Sequence, residues 1–335
     1  MTGSGVSPLF VDQVTGRGID ADIDPAVLAT LMEAAASPAA ADLGEARNRY
    51  RRTSRRRSLA PAPIADVGEH DIARSDGSAL RIRVYRPTAG RSGVLIYFHG
   101  GGLKMGDLDS HDSLLRLVSF EAEVAIVAVG YRLVPEYAFP AQTEDAWTAL
   151  GWVAREAGRL GLDRSRIAVG GDSAGGLLAA ATAQRARDAG APGLVQQVLL
   201  YPLTDLTLSS ESNRRYAAGP VLTRAWHQEA LARYVPSDRT LTDPEISPRY
   251  GDPRALPPTL IVTAEHDPLR DDGESYGTGL RRAGVSTVVV RYQAMVHDFA
   301  LMTATVPAAR HVVGTVAAAI RERLAPGPGT PSRPK

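Results

Sequence analysis

The chain has 335 residues with 38 basic and 37 acidic side chains, a formal net charge of +1 at pH 7 and no cysteine. The balanced charge gives no indication of a polyanionic partner such as nucleic acid, and the lack of cysteine excludes disulfides and thiol chemistry. No segment approaches the roughly 18 apolar residues of a membrane span, and the first residues do not resemble a signal peptide. We therefore expect a soluble, cytoplasmic protein.

Two helices are predicted near the N-terminus, at Pro25–Ala36 and Asp42–Arg52. A dense run of arginines lies between Arg47 and Arg57. Because charged residues on helices usually face solvent, we interpret this run as a solvated helix face that joins the N-terminal helices to the rest of the protein. A nucleic-acid or membrane patch is the alternative interpretation.

Short apolar runs alternate with helical patterns along most of the remaining chain. Strands are predicted at Leu80–Tyr85, Val94–Phe98, Val124–Val129, Ile167–Val169, Val198–Tyr201, Thr259–Ala264 and Ser286–Tyr292. Helical patterns such as Thr143–Ala157 and Leu177–Ala189 lie between them. This alternation is typical of a mostly parallel sheet covered by helices, so the predicted fold class is α/β.

A glycine loop, His99-Gly100-Gly101-Gly102, follows the second predicted strand. Backbone N–H groups in such a loop can stabilise an oxyanion, each donor being worth roughly 3–4 kcal/mol. We predict the N–H groups of Gly100, Gly101 and Ala174 as the donors. A phosphate-binding loop is the alternative, but the Lys-Ser/Thr ending of a P-loop and the spaced glycines of a dinucleotide fingerprint are both absent.

The segment Gly171-Asp172-Ser173-Ala174-Gly175 places a serine at the centre of a Gly-x-Ser-x-Gly pattern. An apolar run precedes it and a helical pattern follows, so Ser173 is predicted on a sharp turn between strand and helix. Such a turn exposes a nucleophile. The flanking glycines lack side chains where backbone segments pass close together. The pattern alone is weak in a chain with 32 glycines, and an ordinary structural turn is the alternative.

The segment from about Thr207 to Pro248 interrupts the alternation of strands and helices. It carries Trp226, His227 and Tyr234 in a helical stretch. With the first 60 residues it is expected to form a cap over Ser173. The aromatic residues either contact substrate or only form the core of the cap.

An acidic residue that would orient a catalytic histidine is predicted beyond a buried strand near the end of the chain. Asp267 follows the run Thr259–Ala264, and its role would be to orient a histidine and stabilise its imidazolium form. Asp205 is a competitor, because it also follows a strand-like run and some hydrolases carry the acid one strand earlier. Asp271, Asp272 and Asp298 are expected to cap a helix or to face water.

The Gly-x-Ser-x-Gly turn resembles that of α/β-hydrolases, in which the chain order is nucleophile, acid, histidine. This order selects the base among the seven histidines. Only three come late enough in the chain, namely His266, His297 and His311. His266 is adjacent to Asp267, and His311 lies in a helical pattern. His297 follows a predicted strand and a short loop, where a base would be delivered from a strand end, so it is the predicted base.

These motifs resemble the hormone-sensitive-lipase-like family of α/β-hydrolase esterases. The resemblance runs from about Val94 to Leu301 and includes further segments. They are Gly106–Asp112, Tyr131–Glu136, Phe139–Ala141 and Asp267–Gly273. It implies an eight-stranded, mostly parallel sheet with a helical cap, Ser173, Asp267 and His297 as catalytic triad, and the glycine-loop amides as oxyanion hole. It also favours Asp267 over Asp205, because the family's acid lies in an Asp-Pro-Leu motif.

Three residues depart from the family pattern. Asp298 follows the predicted base where the family usually has glycine, so an extra carboxylate is expected near His297. Gly130 replaces a common aspartate, which is expected to change local packing. Lys104 stands two residues after the glycine loop where apolar side chains are usual. Its long stem would let the ammonium reach the pocket mouth and favour anionic esters, the alternative being an exposed surface lysine.

The predicted function is that of a serine carboxylesterase acting on small esters of short to medium chain length through an acyl-enzyme. Neither a cofactor nor a metal is expected. Acyl transfer to another acceptor on the same triad is one alternative, and a non-catalytic ligand-binding protein of the same fold is another. The natural ester is not indicated, and a homodimer is left open. The expected organisation is cap helices in residues 1–60, a catalytic core in 61–325 with a cap insert at about 207–248, and a disordered tail in 326–335.

Overall fold

One sheet organises the part of the chain that this computed structural model describes, residues 10–35, 40–87 and 92–325. Its strands are β1 (Asp66–Ala73), β2 (Ala79–Arg86), β3 (Ser92–Phe98), β4 (Ala125–Val129), β5 (Leu162–Asp172), β6 (Leu194–Leu200), β7 (Thr259–His266) and β8 (Thr287–Val296). The order across the eight-stranded sheet is β1-β2-β4-β3-β5-β6-β7-β8. The pairs β1–β2 and β2–β4 are antiparallel and the remaining pairs are parallel. The predicted mostly parallel α/β fold is confirmed.

Strand β3 shows why the central strands read as continuous apolar runs. All its residues are buried. Val94, Ile96 and Phe98 belong to the core on one face of the sheet, while Leu95 and Tyr97 belong to the core on the other. A parallel sheet covered on both faces needs apolar side chains on both sides of each strand, and Val94–Phe98 provides them.

Strand β1 is not among the strands predicted from the sequence. It lies at the edge of the sheet, pairs only with β2, and most of its residues are exposed or half-buried. An edge strand of this kind carries polar residues such as Glu69, His70 and Asp71 and gives little apolar signal.

Helices cover both faces of the sheet. They are α1 (Pro25–Ala35), α2 (Leu43–Arg57), α3 (Asp112–Ala122), α4 (Ala141–Glu156), α5 (Ala174–Ala189), α6 (Glu211–Arg215), α7 (Arg224–Tyr234), α8 (Arg270–Arg282) and α9 (Pro307–Leu324). Helices α3 and α9 pack together on one face, and α4, α5 and α8 contact the strands from the other. None of the helices in the described ranges is long and apolar enough to cross a bilayer.

The segments outside the alternating core contain four helices within the described residues, α1, α2, α6 and α7. Helices α1 and α2 match the two helices predicted near the N-terminus, although α2 continues five residues further, to Arg57 rather than Arg52. The Asp42 side chain caps α2 by accepting a hydrogen bond from the Glu45 N–H at 2.8 Å. Helices α6 and α7 occupy the predicted insert. The tail predicted at 326–335 lies outside the described residues.

Candidate active site

Ser173 lies on the tight turn between β5 and α5. Its backbone has φ 54° and ψ −118°, a conformation that is costly for a residue with a side chain and that recurs at functional sites. A Cβ on Gly171 or on Gly175 would collide with the carbonyl oxygen of Phe98 on the neighbouring strand. The two glycines therefore allow the turn to pack against β3 and to hold the serine in this conformation.

His297 and Asp267 reach the same point from two adjacent strands. Asp267 directly follows β7 and His297 directly follows β8. The Nε2 atom of His297 lies 2.9 Å from the Ser173 Oγ, and its Nδ1 lies 2.8 Å from the Asp267 Oδ2. All three residues are buried. The structure thus brings together the three residues that the sequence predicted as a triad.

The hydrogen bonds determine which ring nitrogen of His297 carries the proton when the ring is neutral. Because the Asp267 carboxylate can only accept, Nδ1 of His297 carries a proton and donates it to Oδ2. In the neutral ring Nε2 is then free to accept from the Ser173 hydroxyl. Asp267 is itself held by the Leu269 N–H, which donates to its Oδ1 at 2.8 Å. The arrangement can move a proton from the serine to the histidine.

The glycine loop departs from the sequence prediction at Gly100. Its N–H already donates to the Asp172 Oδ1 at 3.0 Å. The Gly100 N–H is therefore not available to an oxyanion, although the sequence predicted it as a donor. Gly101 and Gly102 instead line the pocket beside Ser173. Both have positive φ, 113° and 62°, which glycine adopts readily. Ala174 is the first residue of α5, and the N–H at this position has no partner within a helix.

A buried polar network holds the glycine loop from behind. The two oxygens of Asp172 accept hydrogen bonds from the Tyr97 hydroxyl at 2.9 Å and from the His111 Nε2 at 3.2 Å, in addition to the Gly100 bond. Burial alone would lower the pKa of His111, but the Asp172 carboxylate outweighs it and raises that pKa. The Asp172 carboxylate thus ties the glycine loop to Tyr97 and His111 through hydrogen bonds, a role that the sequence does not indicate.

A second carboxylate, Asp298, lies beside the triad histidine. Its Oδ1 is 3.5 Å from the His297 Nε2, and its Oδ2 accepts a long hydrogen bond of 3.4 Å from the Tyr50 hydroxyl. Burial disfavours the charged form of His297, but the carboxylates of Asp267 and Asp298 outweigh it and raise the pKa of His297 to about 9. The expectation from the sequence that Asp298 would lie near the base agrees with this geometry.

These groups share a small pocket of about 230 Å³. Its lining comes from α2, the glycine loop, the two turns that carry Ser173 and His297, and the insert. The residues are Tyr50, Gly101, Gly102, Met105, Ser173, Val221, Leu222, Thr223, Trp226, His297 and Asp298. Trp226 packs directly over Gly102, where a Cβ would collide with the indole. Among the aromatic residues predicted for the insert, Trp226 thus lines the pocket, whereas His227 and Tyr234 are buried outside its lining.

Lys104 does not lie in the lining of this pocket. Its ammonium pairs with the Glu229 carboxylate at 2.8 Å and lies 5.9 Å from the Trp226 ring centroid. Its side chain is only 15% exposed. A lysine whose charge is already matched gives little attraction to an anionic ester, so the structure does not support the preference suggested from the sequence.

The competing residues are engaged elsewhere. Asp205 accepts hydrogen bonds from the Thr207 N–H at 2.9 Å and from the Tyr250 hydroxyl at 3.2 Å, and it does not contact the triad histidine. The ring of His266 packs edge-on against Tyr216, and His311 is exposed on α9. Asp272 was expected to cap a helix or to face water, but it is fully buried. Helix α8 turns its side chain toward the Asn213 amide, 3.4 Å away.

The arginine run ties α2 to the loops around the pocket. Arg47 forms two hydrogen bonds with the Glu136 carboxylate, of 2.7 and 2.8 Å, and also donates to the carbonyl oxygen of Lys104 at 2.9 Å. The Arg51 Nε donates to the Asp107 Oδ2 at 2.6 Å. These bonds position Tyr50 at the pocket. Over the described residues, no group of His, Asp and Glu side chains is arranged to hold a metal ion.

Comparison with known proteins agrees with this architecture. Residues 95–301 match a protein family described by its α/β-hydrolase fold. The carboxylesterase NlhH of Mycobacterium tuberculosis is 41% identical over 310 residues, 90% of this chain and 97% of that protein. An ethyl acetate hydrolase of Pseudomonas putida is 37% identical over 269 residues, 77% of this chain and 83% of that protein. The solved structure of a Pyrobaculum calidifontis esterase superposes with a TM-score of 0.84 at 36% identity, covering 90% and 98% of the two chains.

Proposed function

This chain belongs to the α/β-hydrolase family, and we propose that it is a serine carboxylesterase that hydrolyses short- to medium-chain esters through an acyl-enzyme. The observation that carries the proposal is the continuous chain of hydrogen bonds from Ser173 through His297 to Asp267, of 2.9 and 2.8 Å. The similarity to a carboxylesterase and to an ethyl acetate hydrolase supports the class of substrate.

In the proposed reaction Ser173 attacks the ester carbonyl while its proton moves to Nε2 of His297. The resulting imidazolium donates that proton to the leaving alcohol, and Asp267 stabilises the positive ring from the Nδ1 side. Water then enters the position of the alcohol and attacks the acyl carbonyl while giving a proton to Nε2. The acid is released as Nε2 returns that proton to the Ser173 oxygen. Each step uses the same nitrogen, so the alcohol oxygen and the water must both lie close to Nε2.

The oxyanion of this reaction requires donors on the other side of the carbonyl. The N–H groups of Gly101, Gly102 and Ala174 are the proposed donors, because the Gly100 N–H is occupied by Asp172. Each such donor contributes on the order of 3–4 kcal/mol to the transition state. Asp172 then acts indirectly, by holding the loop in place.

The cap of this proposed enzyme consists of the N-terminal helices, within residues 1–60, and the insert at about 207–248. The support is that Tyr50 comes from α2 and that Val221, Leu222, Thr223 and Trp226 come from the insert, and all of them line the pocket with Ser173. The remaining residues up to 325 form the catalytic core. A pocket built by two separate segments is limited in depth.

The small volume of this pocket leads to a prediction about the length of the acyl chain of the substrate. Because the space beside Ser173 is about 230 Å³, esters with short acyl chains of about two to eight carbons should have higher kcat/KM than longer ones. A series of p-nitrophenyl esters of increasing acyl length measures this directly. Soluble substrates below their aggregation limit are the control for micelle effects. Higher activity on emulsified long-chain triglycerides than on the short esters would contradict the proposal.

The raised pKa of His297 leads to a prediction about pH. The base must be neutral to accept the serine proton, and the pKa is raised to about 9 by Asp267 and Asp298 against the opposing effect of burial. We expect kcat/KM to rise about tenfold for each pH unit below the pKa and to level off above it. The pH profile of kcat/KM on a neutral ester measures the midpoint.

The variant Asp298→Asn tests the cause of that midpoint. It removes one of the two carboxylates near the ring and leaves the Asp267 hydrogen bond in place, so the midpoint should move to lower pH. The matched control is Asp271→Asn, because Asp271 is likewise an aspartate close in sequence to a triad residue, Asp267, but accepts hydrogen bonds from the Ser212 N–H and from Arg270. A midpoint that is identical in the wild type and in Asp298→Asn would show that Asp298 does not affect the base.

A further inference from the structure

Tyr201, the residue that follows β6, has a backbone conformation that a bulky residue rarely adopts. Its φ is 34°, in the left-handed region where a Cβ approaches the following carbonyl oxygen. Hydrogen bonds on both sides impose this conformation. The Tyr201 N–H donates to the Val262 oxygen at 2.6 Å. The Ser173 N–H donates to the Leu200 oxygen at 2.9 Å, and the Leu203 N–H donates to the Ser173 oxygen at 3.0 Å. Strain that is held in this way recurs at functional sites.

This conformation changes the face of the sheet on which the Tyr201 side chain lies. Side chains alternate between the two faces along a strand. Leu199 belongs to the core on one face and Leu200 to the core on the other, so a continued strand would place Tyr201 with Leu199. Instead Tyr201 lies with Leu200. The strained residue therefore brings an aromatic ring to the face where Phe299, two residues after His297, also packs.

The Tyr201 ring packs against the imidazole of His297. The two ring centroids are 5.0 Å apart and the ring planes are inclined by 62°, which is an edge-to-face aromatic contact. The ring also contacts Phe299, at 5.9 Å between centroids. Tyr201 is fully buried, and its hydroxyl has no hydrogen-bond partner in the described part of the chain. What this residue contributes is therefore the contact of its ring.

The triad histidine needs such a support once the serine is acylated. In the free protein His297 is bonded at both ring nitrogens, to Ser173 and to Asp267. In an acyl-enzyme the Ser173 oxygen belongs to the ester and has no proton to donate, so the Asp267 bond alone would hold the ring. A single hydrogen bond leaves the ring free to tilt about it. Nε2 must nevertheless point at the incoming water.

We propose that Tyr201 is a positioning residue for the triad base, which keeps the His297 ring aligned by packing against it while Ser173 is acylated. Tyr201 does not line the pocket, so it acts through the histidine and not on the substrate. The inference rests on the esterase function proposed above. It also explains why a bulky residue adopts a strained backbone at this position.

The variants Tyr201→Phe, Tyr201→Leu and Tyr201→Met test the role of the ring. Tyr201→Phe keeps the ring and loses only a hydroxyl without a partner, so we expect wild-type kcat and KM. The other two variants lose the ring. We expect kcat to fall by about tenfold to a hundredfold, as for a slightly misplaced reacting group, and KM to stay at the wild-type value. Tyr201→Met fills more of the space with a flexible side chain and replaces Tyr201→Leu in the comparison if the latter does not fold.

The matched control is Tyr292→Leu. Tyr292 packs on Phe299 as Tyr201 does, at 5.1 Å between centroids, and belongs to the same core. Its hydroxyl lies 3.0 Å from that of Thr315, and among the described residues no ring contact joins it to His297. Loss of this ring is expected to reduce stability, while kcat of the folded protein stays at the wild-type value.

A second measurement does not depend on turnover. The Nδ1 proton of His297, which bonds to Asp267, gives a separate downfield resonance in the proton NMR spectrum when the ring is held in place. The Ser173→Ala background removes the serine bond as acylation does. In that background we expect the resonance to persist with Tyr201, with Tyr201→Phe and with Tyr292→Leu, and to broaden or vanish with Tyr201→Leu and Tyr201→Met.

The possible failures are distinct. If the wild type hydrolyses no ester, the esterase proposal is wrong, and the resonance still tests the contact between Tyr201 and His297. If folded Tyr201→Leu and Tyr201→Met keep the wild-type kcat, or keep the resonance while kcat falls, the positioning role is wrong. If Tyr201→Phe loses as much activity as they do, the hydroxyl is needed instead of the ring contact, and the proposal is wrong as well.

Discussion

Ser173→Ala is expected to lower kcat for p-nitrophenyl ester hydrolysis by a factor on the order of a million, as removal of the nucleophile does in a well-studied triad. Without the serine oxygen no acyl-enzyme forms, and His297 loses the group whose proton it accepts at 2.9 Å. What remains is binding and the oxyanion donors, which alone give only weak catalysis. The measurement is kcat under saturating ester for purified wild-type and variant protein.

The matched control for this variant is Ser209→Ala. Ser209 lies in the insert, is exposed and hydrogen-bonds to the Thr207 hydroxyl at 2.8 Å, and it does not line the pocket. Its replacement should leave kcat at the wild-type value, and both variants should unfold at the wild-type temperature. Substantial activity in a folded Ser173→Ala protein would mean that another residue is the nucleophile.

Asp267→Asn is expected to lower kcat by about ten-thousand-fold. An asparagine can turn its amide nitrogen toward Nδ1 of His297, which then accepts the hydrogen bond and leaves the proton on Nε2. In that tautomer the ring cannot accept the serine proton. The present geometry requires an acceptor at this position, since Oδ2 accepts the hydrogen bond from the Nδ1–H at 2.8 Å.

Asp205→Asn is the control for the acid. Asp205 is a buried aspartate following the neighbouring strand β6, but its oxygens face Thr207 and Tyr250 instead of the histidine. Its replacement should cost far less activity than that of Asp267, although loss of these bonds is expected to reduce stability. If Asp205→Asn proves the more damaging of the two in folded protein, the acid belongs to the earlier strand.

The sequence predicted the fold because its central strands are buried on both faces. Val94–Phe98 and Thr259–Ala264 are recognisable as short apolar runs for that reason. The edge strand β1 escaped detection because half-exposed residues carry no such pattern. The glycines around Ser173 were informative because close backbone contact with Phe98 permits no side chain there.

The sequence predicted only part of the candidate site, because several of its contacts join residues that are far apart in the chain. The sequence indicated Ser173, Asp267 and His297 through motifs and their order. It could not reveal that Asp172 captures the Gly100 N–H, since the two residues are 72 positions apart. Tyr50 was also missed, although an aromatic residue inside an arginine-rich helix is a signal that such a helix has a buried side.

Lys104 illustrates the opposite error. Lys104 is close to the glycine loop in sequence, which suggested a charge at the pocket mouth. In the structure α7 brings Glu229 to pair with it. A partner that is 125 residues away cannot be read from local sequence. Electrostatic expectations based on one side chain are accordingly the least transferable from sequence to structure.

The most direct test of the central claim, that Ser173 is acylated, is mass spectrometry of the protein after reaction with a fluorophosphonate, followed by tryptic peptide mapping. The peptide from Ile167 to Arg185 contains Ser173 as its only serine. We predict a single adduct on this peptide in the wild type and none in Ser173→Ala. An adduct on another peptide, or equal labelling of Ser173→Ala, would contradict the account.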